Sequence, residues 1–174
     1  MTNQRHTVIP VSYLLLERDG KYLLTRRYNT GYRDGQYSLV AGHVDKGESF
    51  TCAMVRESHE EIGIIVNEKE LDIVHIMHRR EDDNERVDVF LRARSWSGEI
   101  INCEPEKCDE LVWAAGNALP RNTVPYIVTM FEHMRNGIFY SEYGWGQLMH
   151  EQHNKPHDQH KQIFKKTDMC ERNG

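Results

Sequence analysis

The chain has 174 residues, a mass of 20.5 kDa and a formal net charge of −5. This length suits one domain with a hydrophobic core, and the mildly acidic balance argues against binding to long nucleic acid, which requires clustered basic residues. The apolar runs are too short to span a bilayer, and the first residues lack the apolar stretch of a secretory signal. We therefore expect a cytoplasmic protein that is not anchored in a membrane.

The cysteines lack the paired spacing of a zinc site; they are Cys52, Cys103, Cys108 and Cys170. Cys103 and Cys108 would share a metal only if further ligands joined them, and no second Cys or His pair at zinc spacing accompanies them. We interpret all of the cysteines as reduced thiols, which is the usual state in a cytosolic protein.

The first part of the chain is rich in β-forming residues. Residues 8–17 and 21–27 predict two strands, and the Asp-Gly pair between them is typical of a hairpin turn. Turn-forming residues occupy positions 29–35, and residues 37–41 predict a short buried strand. These segments predict the beginning of a β-sheet that is interrupted by one loop.

A helix is predicted over residues 49–62, with Ser49 as its N-terminal cap and Gly63 as the residue that ends it. Further strands are predicted at residues 71–78, 86–96 and 111–113, a charged loop at residues 79–85, and a second, amphipathic helix at residues 123–135. Strands on both sides of one helix, followed by a second helix, predict an α/β domain around a mixed sheet.

The last part of the chain is polar, contains Pro156 and has few core-forming residues. We predict one domain over residues 1–145 and a polar C-terminal tail over residues 146–174. Histidines in this tail approximate one helical face, which the proline interrupts. A solvated tail is one interpretation of this segment, and a transition-metal site is the other.

The most informative pattern is a group of carboxylates on the first predicted helix. Glu57, Glu60 and Glu61 are spaced i, i+3 and i+4, so they share one helical face, where like charges repel. Glu48 precedes the helix and adds another carboxylate, and Arg56 can brace one of them with a bidentate hydrogen bond. The cluster favours a site for a hard divalent cation such as Mg²⁺, with a solvated acidic helix face as the alternative.

The complete pattern resembles the Nudix box, Gly-x5-Glu-x7-Arg-Glu-U-x-Glu-Glu-x-Gly-U, in which U is a bulky apolar residue. It runs here from Gly42 to Ile64, and Ser58 departs from it at the first U position, where a buried hydroxyl requires a hydrogen-bond partner. The resemblance extends in weaker form over roughly residues 8–135 and is greatest to the bacterial MutT branch of the family. It implies the α/β fold of that family, a Nudix-type α/β/α sandwich around a mixed β-sheet.

The resemblance also implies a Mg²⁺-dependent hydrolase, with Mn²⁺ as a substitute metal, in which the metal activates the attacking water. The implied metal ligands are Glu57, Glu60 and Glu61, supported by Glu48 and a backbone carbonyl at Gly42. The implied catalytic residues are Glu57, Glu60, Arg56 and Glu99, of which either Glu57 or Glu99 takes the proton of the water.

Substrate contacts are implied by similarity to the MutT branch. Arg27 matches a strand arginine that contacts phosphate, and either Asn122 or Thr123 matches an asparagine that recognises the base. Aromatic residues that can stack on a flat group are Tyr37, Phe90 and Trp113, although each is also a typical core residue.

The resemblance therefore implies hydrolysis of a diphosphate linkage in a nucleoside triphosphate or a related nucleoside diphosphate derivative. A nucleotide sugar or another nucleoside diphosphate derivative is the alternative substrate. A non-catalytic Nudix-fold module that binds nucleotides is the alternative function, but retention of Arg56 and all the box glutamates favours an enzyme. The implied partner is a small nucleotide-like molecule. A homodimer is an open alternative to a monomer, because Nudix proteins often dimerise.

Overall fold

A computed structural model describes residues 6–81 and 84–146. These residues form two β-sheets, two α-helices and one 3₁₀ helix. The strands are β1 (Ile9–Leu15), β2 (Glu17–Arg18), β3 (Lys21–Arg27), β4 (Tyr37–Ser38), β5 (Val40–His43), β6 (Leu71–Glu81), β7 (Asn84–Ala93), β8 (Cys108–Ala115) and β9 (Tyr140–Tyr143). The α-helices are α1 (Phe50–Ile62) and α2 (Pro125–Arg135), and the 3₁₀ helix is Glu68–Glu70.

The larger sheet is mixed and has the strand order β5-β1-β7-β6-β9. β1 pairs in parallel with β7, and β6 pairs in parallel with β9, whereas the β5–β1 and β6–β7 pairs are antiparallel. Because side chains alternate along a strand, Tyr13 of β1 faces the core that contains α2, and Leu14 faces the core that contains α1. A helix thus covers each face of the sheet, which confirms the predicted α/β/α sandwich.

The smaller sheet is built around β3, which pairs with β2, β4 and β8, all antiparallel. The single strand predicted at residues 37–41 is in fact two strands, because β4 pairs within the smaller sheet and β5 pairs with β1 of the larger sheet. The chain crosses between the sheets at Leu39, and this crossing brings the two sheets together beside α1.

The prediction of a loop at residues 79–85 is wrong. β6 continues to Glu81, and β7 begins at Asn84, so the two form a long hairpin. The segment is charged, which suggested exposure, but the Arg79 side chain is 0% exposed and is paired with Asp88 of the neighbouring strand. Strand pairing therefore neutralises a charge that the sequence pattern assigned to solvent.

The predicted helix ends are confirmed in α1. The Ser49 side chain accepts a hydrogen bond from the Cys52 N–H, and Gly63 ends the helix with a positive φ of 72°. Ser58 is fully buried, and its hydroxyl donates to the Val55 carbonyl at 2.8 Å. The departure from the Nudix box at this position is thus accommodated without an unpaired hydroxyl.

Other boundaries differ from the prediction. β8 extends over eight residues where three were predicted, and neither β9 nor the 3₁₀ helix was predicted. Within the described ranges, Cys52, Cys103 and Cys108 are free thiols, and no helix has the length and apolar character needed to cross a bilayer. The predicted tail covers residues 146–174, of which residues 147–174 lie outside the described residues.

Candidate active site

A cleft of about 590 Å³ lies where the two sheets meet the N-terminal part of the box. Its acidic wall is formed by Glu57, Glu60 and Glu61 of α1 together with Glu104 of the loop before β8, and Asp45 also lines the cleft. Basic side chains that line the same cleft are Arg26, Arg27, Arg56, Arg86 and Lys107. The cleft therefore brings five carboxylates and several cations together, an arrangement suited to a metal-bound polyphosphate.

Gly42 occupies the point where β5 passes α1. A Cβ atom at this position would overlap the carboxylate of Glu57, so any other residue would displace the Glu57 side chain from its place against the strand. The close approach places the Glu57 carboxylate against the β5 backbone. The two residues were predicted to belong to one metal site, and the structure brings them together.

Arg56 organises the carboxylates of the box. Its Nε and Nη2 atoms donate to the two oxygens of Glu48 at 3.1 and 3.0 Å, and its Nη1 atom donates to Glu57 at 2.5 Å and to Glu60 at 3.2 Å. The Nη2 atom also donates to the carbonyl of His43 at 3.1 Å. The hydrogen bond from Arg56 lowers the pKa of Glu48, so this carboxylate is ionised and firmly placed.

The two innermost carboxylates are harder to ionise. Burial raises the pKa of Glu57, against the opposing effect of Arg56. Burial raises the pKa of Glu61 to about 8, with further contributions from the negative charges of Glu57 and Glu104. Concentrated negative charge of this kind is relieved by a bound cation, which reverses the local preference for protonation.

The donor set fits a hard divalent metal. Within the described ranges, no three acidic, His or Cys side chains are already converged on one point, and Arg56 holds Glu57 and Glu60. Mg²⁺ usually keeps several waters and binds proteins through one or two carboxylates, so a converged set of three is not required. The residues predicted to hold the metal therefore remain suitable ligands.

Arg27 lies in the cleft, as the similarity implied, but it is not free. Its Nε atom donates to the Tyr32 carbonyl at 2.8 Å, and its Nη2 atom donates to the Thr30 hydroxyl at 3.1 Å. The side chain thus anchors the loop between β3 and β4 in addition to facing the cleft.

The other implied substrate-binding residues lie outside the described lining of the cleft. The Tyr37 hydroxyl donates to Glu110 at 2.6 Å, and Tyr37 forms a β-bridge with Thr123. The Asn122 side chain donates to the Gly35 carbonyl at 2.6 Å. In this structure these residues connect β4 to the segment before α2 and do not face the acidic wall.

The remaining aromatic candidates have structural surroundings. Phe90 is fully buried and stacks on Tyr13 with a centroid distance of 4.7 Å. The Arg18 guanidinium lies over the Trp113 ring, 4.9 Å from the ring centre, in a depression on the smaller sheet. Phe90 is accordingly a core residue, and Trp113 lies away from the carboxylates of the box.

The structure does not bring Glu99 together with the box glutamates. Glu99 lines the depression that contains Arg18 and Trp113, whereas Glu104 lines the cleft beside Glu61. Sequence reasoning missed Glu104, because no local motif marks it. Its loop is held by Asn102, which donates to the Cys108 carbonyl at 2.6 Å and accepts from the Glu104 N–H at 3.1 Å.

This combination of fold and site defines a known class of protein. Residues 6–133 match the NUDIX domain, and the chain belongs to the Nudix hydrolase family, whose members are pyrophosphohydrolases. Members of this family typically depend on a divalent metal.

Characterised relatives are similar over parts of their length. The NAD-capped RNA hydrolase NudC of Pseudomonas aeruginosa is 29% identical over 133 residues, which are 74% of this chain and 45% of that protein. The CTP pyrophosphohydrolase of Escherichia coli (strain K12) is 40% identical over 57 residues, which are 33% of this chain and 42% of that protein. The matched segments thus span less than half the length of these relatives.

Solved structures of other proteins share the fold. A MutT NUDIX hydrolase from Burkholderia pseudomallei superposes with a TM-score of 0.66 at 25% identity, covering 73% of this chain and 98% of that chain. The E. coli ORF135 protein superposes with a TM-score of 0.64 at 26% identity, covering 74% of this chain and 89% of that chain. These similarities confirm the Nudix fold and its MutT-like character.

Proposed function

We propose that this chain hydrolyses a diphosphate linkage in a nucleoside triphosphate, using Mg²⁺ held by Glu57, Glu60 and Glu61. The observation that carries the proposal is the cleft itself. Carboxylates of the box and Glu104 form one wall, and basic side chains line the same space. A polyphosphate with its cation matches both kinds of charge.

The residues named in this proposal have different roles. A bound divalent cation supplies neutralisation of phosphate charge and makes an attacking water more acidic. Glu57 is placed to accept a proton, since burial raises the pKa of its carboxylate. Arg56 keeps Glu48, Glu57 and Glu60 in place, so that the acidic wall is preorganised before substrate arrives.

The basic side chains that line the cleft suit the phosphate chain. Arg27 and Lys107 are two of them, and Lys107 donates to Glu104 at 2.7 Å. Both cations already have partners within the protein, so they hold a fixed position from which phosphate oxygens can be contacted. We propose Glu104 in place of Glu99 as the additional carboxylate that assists the box.

The relatives support the substrate class. A nucleoside triphosphate is the substrate named for the CTP pyrophosphohydrolase, and its similarity to this chain reaches 40% over the matched segment. A cleft of about 590 Å³ lies within the usual range for nucleotide-sized ligands. The NudC relative supports a second candidate, hydrolysis of a nucleoside diphosphate derivative, because an NAD cap contains a diphosphate linkage.

A panel assay tests the proposal. Phosphate release would be measured with Mg²⁺ and coupling enzymes for the canonical nucleoside triphosphates, oxidised guanine triphosphates, ADP-ribose, NAD and nucleotide sugars. Glu57→Gln should lower kcat by about 10²-fold or more, because it removes a proton acceptor and a ligand charge together. Glu132→Gln on the exposed part of α2 is the matched control and should retain full activity.

The outcomes separate the candidates. Turnover of a triphosphate that is lost in Glu57→Gln supports the proposal, whereas turnover confined to NAD or nucleotide sugars selects the second candidate. Nucleotide binding by a folded, Mg²⁺-loaded protein without turnover of any panel member would contradict both and favour a binding module.

A further inference from the structure

The cleft has a structured loop at one end, formed by residues 28–36 between β3 and β4 and called here the cleft loop. Positive φ angles occur at Asn29, Gly31, Arg33 and Gly35, so the backbone is tightly turned. The Asp34 carboxylate accepts hydrogen bonds from the Thr30 N–H, the Thr30 hydroxyl and the Gly31 N–H at 2.6–3.0 Å. The loop is therefore a preformed unit whose position depends on its outer attachments.

The cleft loop is attached to both sheets. Arg27 ties it to the smaller sheet through Thr30 and Tyr32. Glu81 lies at the end of β6 in the larger sheet. It accepts a hydrogen bond from the Tyr32 hydroxyl at 2.5 Å and forms an ion pair with Arg33. Because the cleft lies between the sheets, the contact with Glu81 joins its two sides.

Glu81 is itself held by a buried network. Arg79 donates to Glu81 at 2.7 Å and to Asp88 at 2.5 Å, and its guanidinium lies 3.9 Å from the centre of the Tyr126 ring. The Arg79 and Asp88 side chains are fully buried, so the network is a rigid base. Tyr32 and Tyr126 both line the cleft.

We propose that Glu81 is a positioning residue that clasps the cleft loop to the larger sheet and thereby holds the Tyr32 ring against the nucleoside part of the substrate. The inference rests on the proposed function, since it assigns the part of the cleft lined by Tyr32 and Tyr126 to the nucleoside. Arg79 keeps Asp88 as a partner when Glu81 is changed, so loss of the clasp leaves the buried base intact. The clasp acts on binding and does not touch the phosphate that reacts.

The first test needs no substrate. Amide hydrogen exchange of residues 29–36 would be compared in wild type, Glu81→Gln and Glu85→Gln. Glu85 is a matched control, because it is a carboxylate of the same hairpin that pairs with His6 and forms no hydrogen bond or ion pair with the cleft loop among the described residues. Glu81→Gln should accelerate exchange in the loop by about tenfold or more, and Glu85→Gln should leave it unchanged.

The second test separates binding from chemistry. Glu81→Gln should raise KM for nucleoside triphosphates by about tenfold with kcat within about twofold, and it should leave KM for inorganic tripolyphosphate unchanged. Affinities for α,β-methylene nucleoside triphosphates, measured by calorimetry, should fall by the same factor. Tyr32→Phe should have a similar effect, and the double variant should be no worse than either single one.

Several results would overturn the inference. These are unchanged loop exchange in Glu81→Gln, an equal rise in KM for tripolyphosphate, additive effects of the two substitutions, or no binding of the methylene analogues to wild type. Failure of the proposed function has a different signature. Wild type would then bind the analogues with the predicted dependence on Glu81 but would turn over no nucleotide.

Discussion

Two arginine-centred networks contact residues that line the cleft, and they differ in burial. The Arg56 side chain is 31% exposed and braces Glu48, Glu57 and Glu60. The Arg79 side chain is 0% exposed and joins Asp88 and Glu81 of the β6–β7 hairpin. We infer that the first network mainly shapes the chemistry of the box, whereas the second mainly stabilises the sheet that carries the cleft.

The largest expected effect comes from breaking the buried network. Asp88→Asn should lower the free energy of unfolding by about 3–5 kcal/mol, because it leaves the Arg79 charge buried with less compensation. Urea denaturation measures the change. Glu48→Gln is the matched substitution in the partly exposed network and should cost about 0–1 kcal/mol. Equal losses in the two variants would remove the distinction between the networks.

At the Arg56 network we expect the reverse: a substitution should lower activity strongly and change the free energy of unfolding only slightly. Arg56→Gln should reduce kcat/KM with Mg²⁺ by about 10–100-fold, since residues that orient metal ligands have effects of this size. Its free energy of unfolding should change by less than about 1 kcal/mol. Steady-state kinetics and urea denaturation of one preparation test both parts. Loss of stability without loss of activity would show that Arg56 is only a structural brace.

A smaller effect is expected from the protonation of Glu61. Its pKa is about 8 in the folded protein, above the ordinary value of 4.5 for a glutamate side chain, so the folded state binds the proton more tightly than the unfolded state. The metal-free protein should therefore lose stability as pH rises from about 4.5 through 8. Urea denaturation in a chelator across this range measures the slope, which Glu61→Gln should reduce.

Excess Mg²⁺ sharpens that test. Binding of the cation requires the ionised carboxylate, so Mg²⁺ should oppose the loss of stability at the alkaline end of the range. A slope that is unaffected by both Mg²⁺ and Glu61→Gln would mean that other groups account for the pH dependence.

The sequence was sufficient for the box because its interactions are local. Glu57, Glu60 and Glu61 share a helical face by spacing alone, and the structure places all three in the cleft. The caps at Ser49 and Gly63 depend on residues within one turn of the helix, and both were predicted correctly. The family and the sandwich fold followed from the same short segment.

Only the tertiary structure decided the features that depend on strand pairing. Arg79 was assigned to an exposed loop, because its partner Asp88 becomes adjacent only when β6 pairs with β7. Glu104 lines the cleft, whereas Glu99 lines the depression on the smaller sheet, and no local pattern in the sequence distinguishes the two. Helical spacing fixes neighbours within a few residues, whereas pairing between distant segments depends on the whole sheet and leaves no local signature.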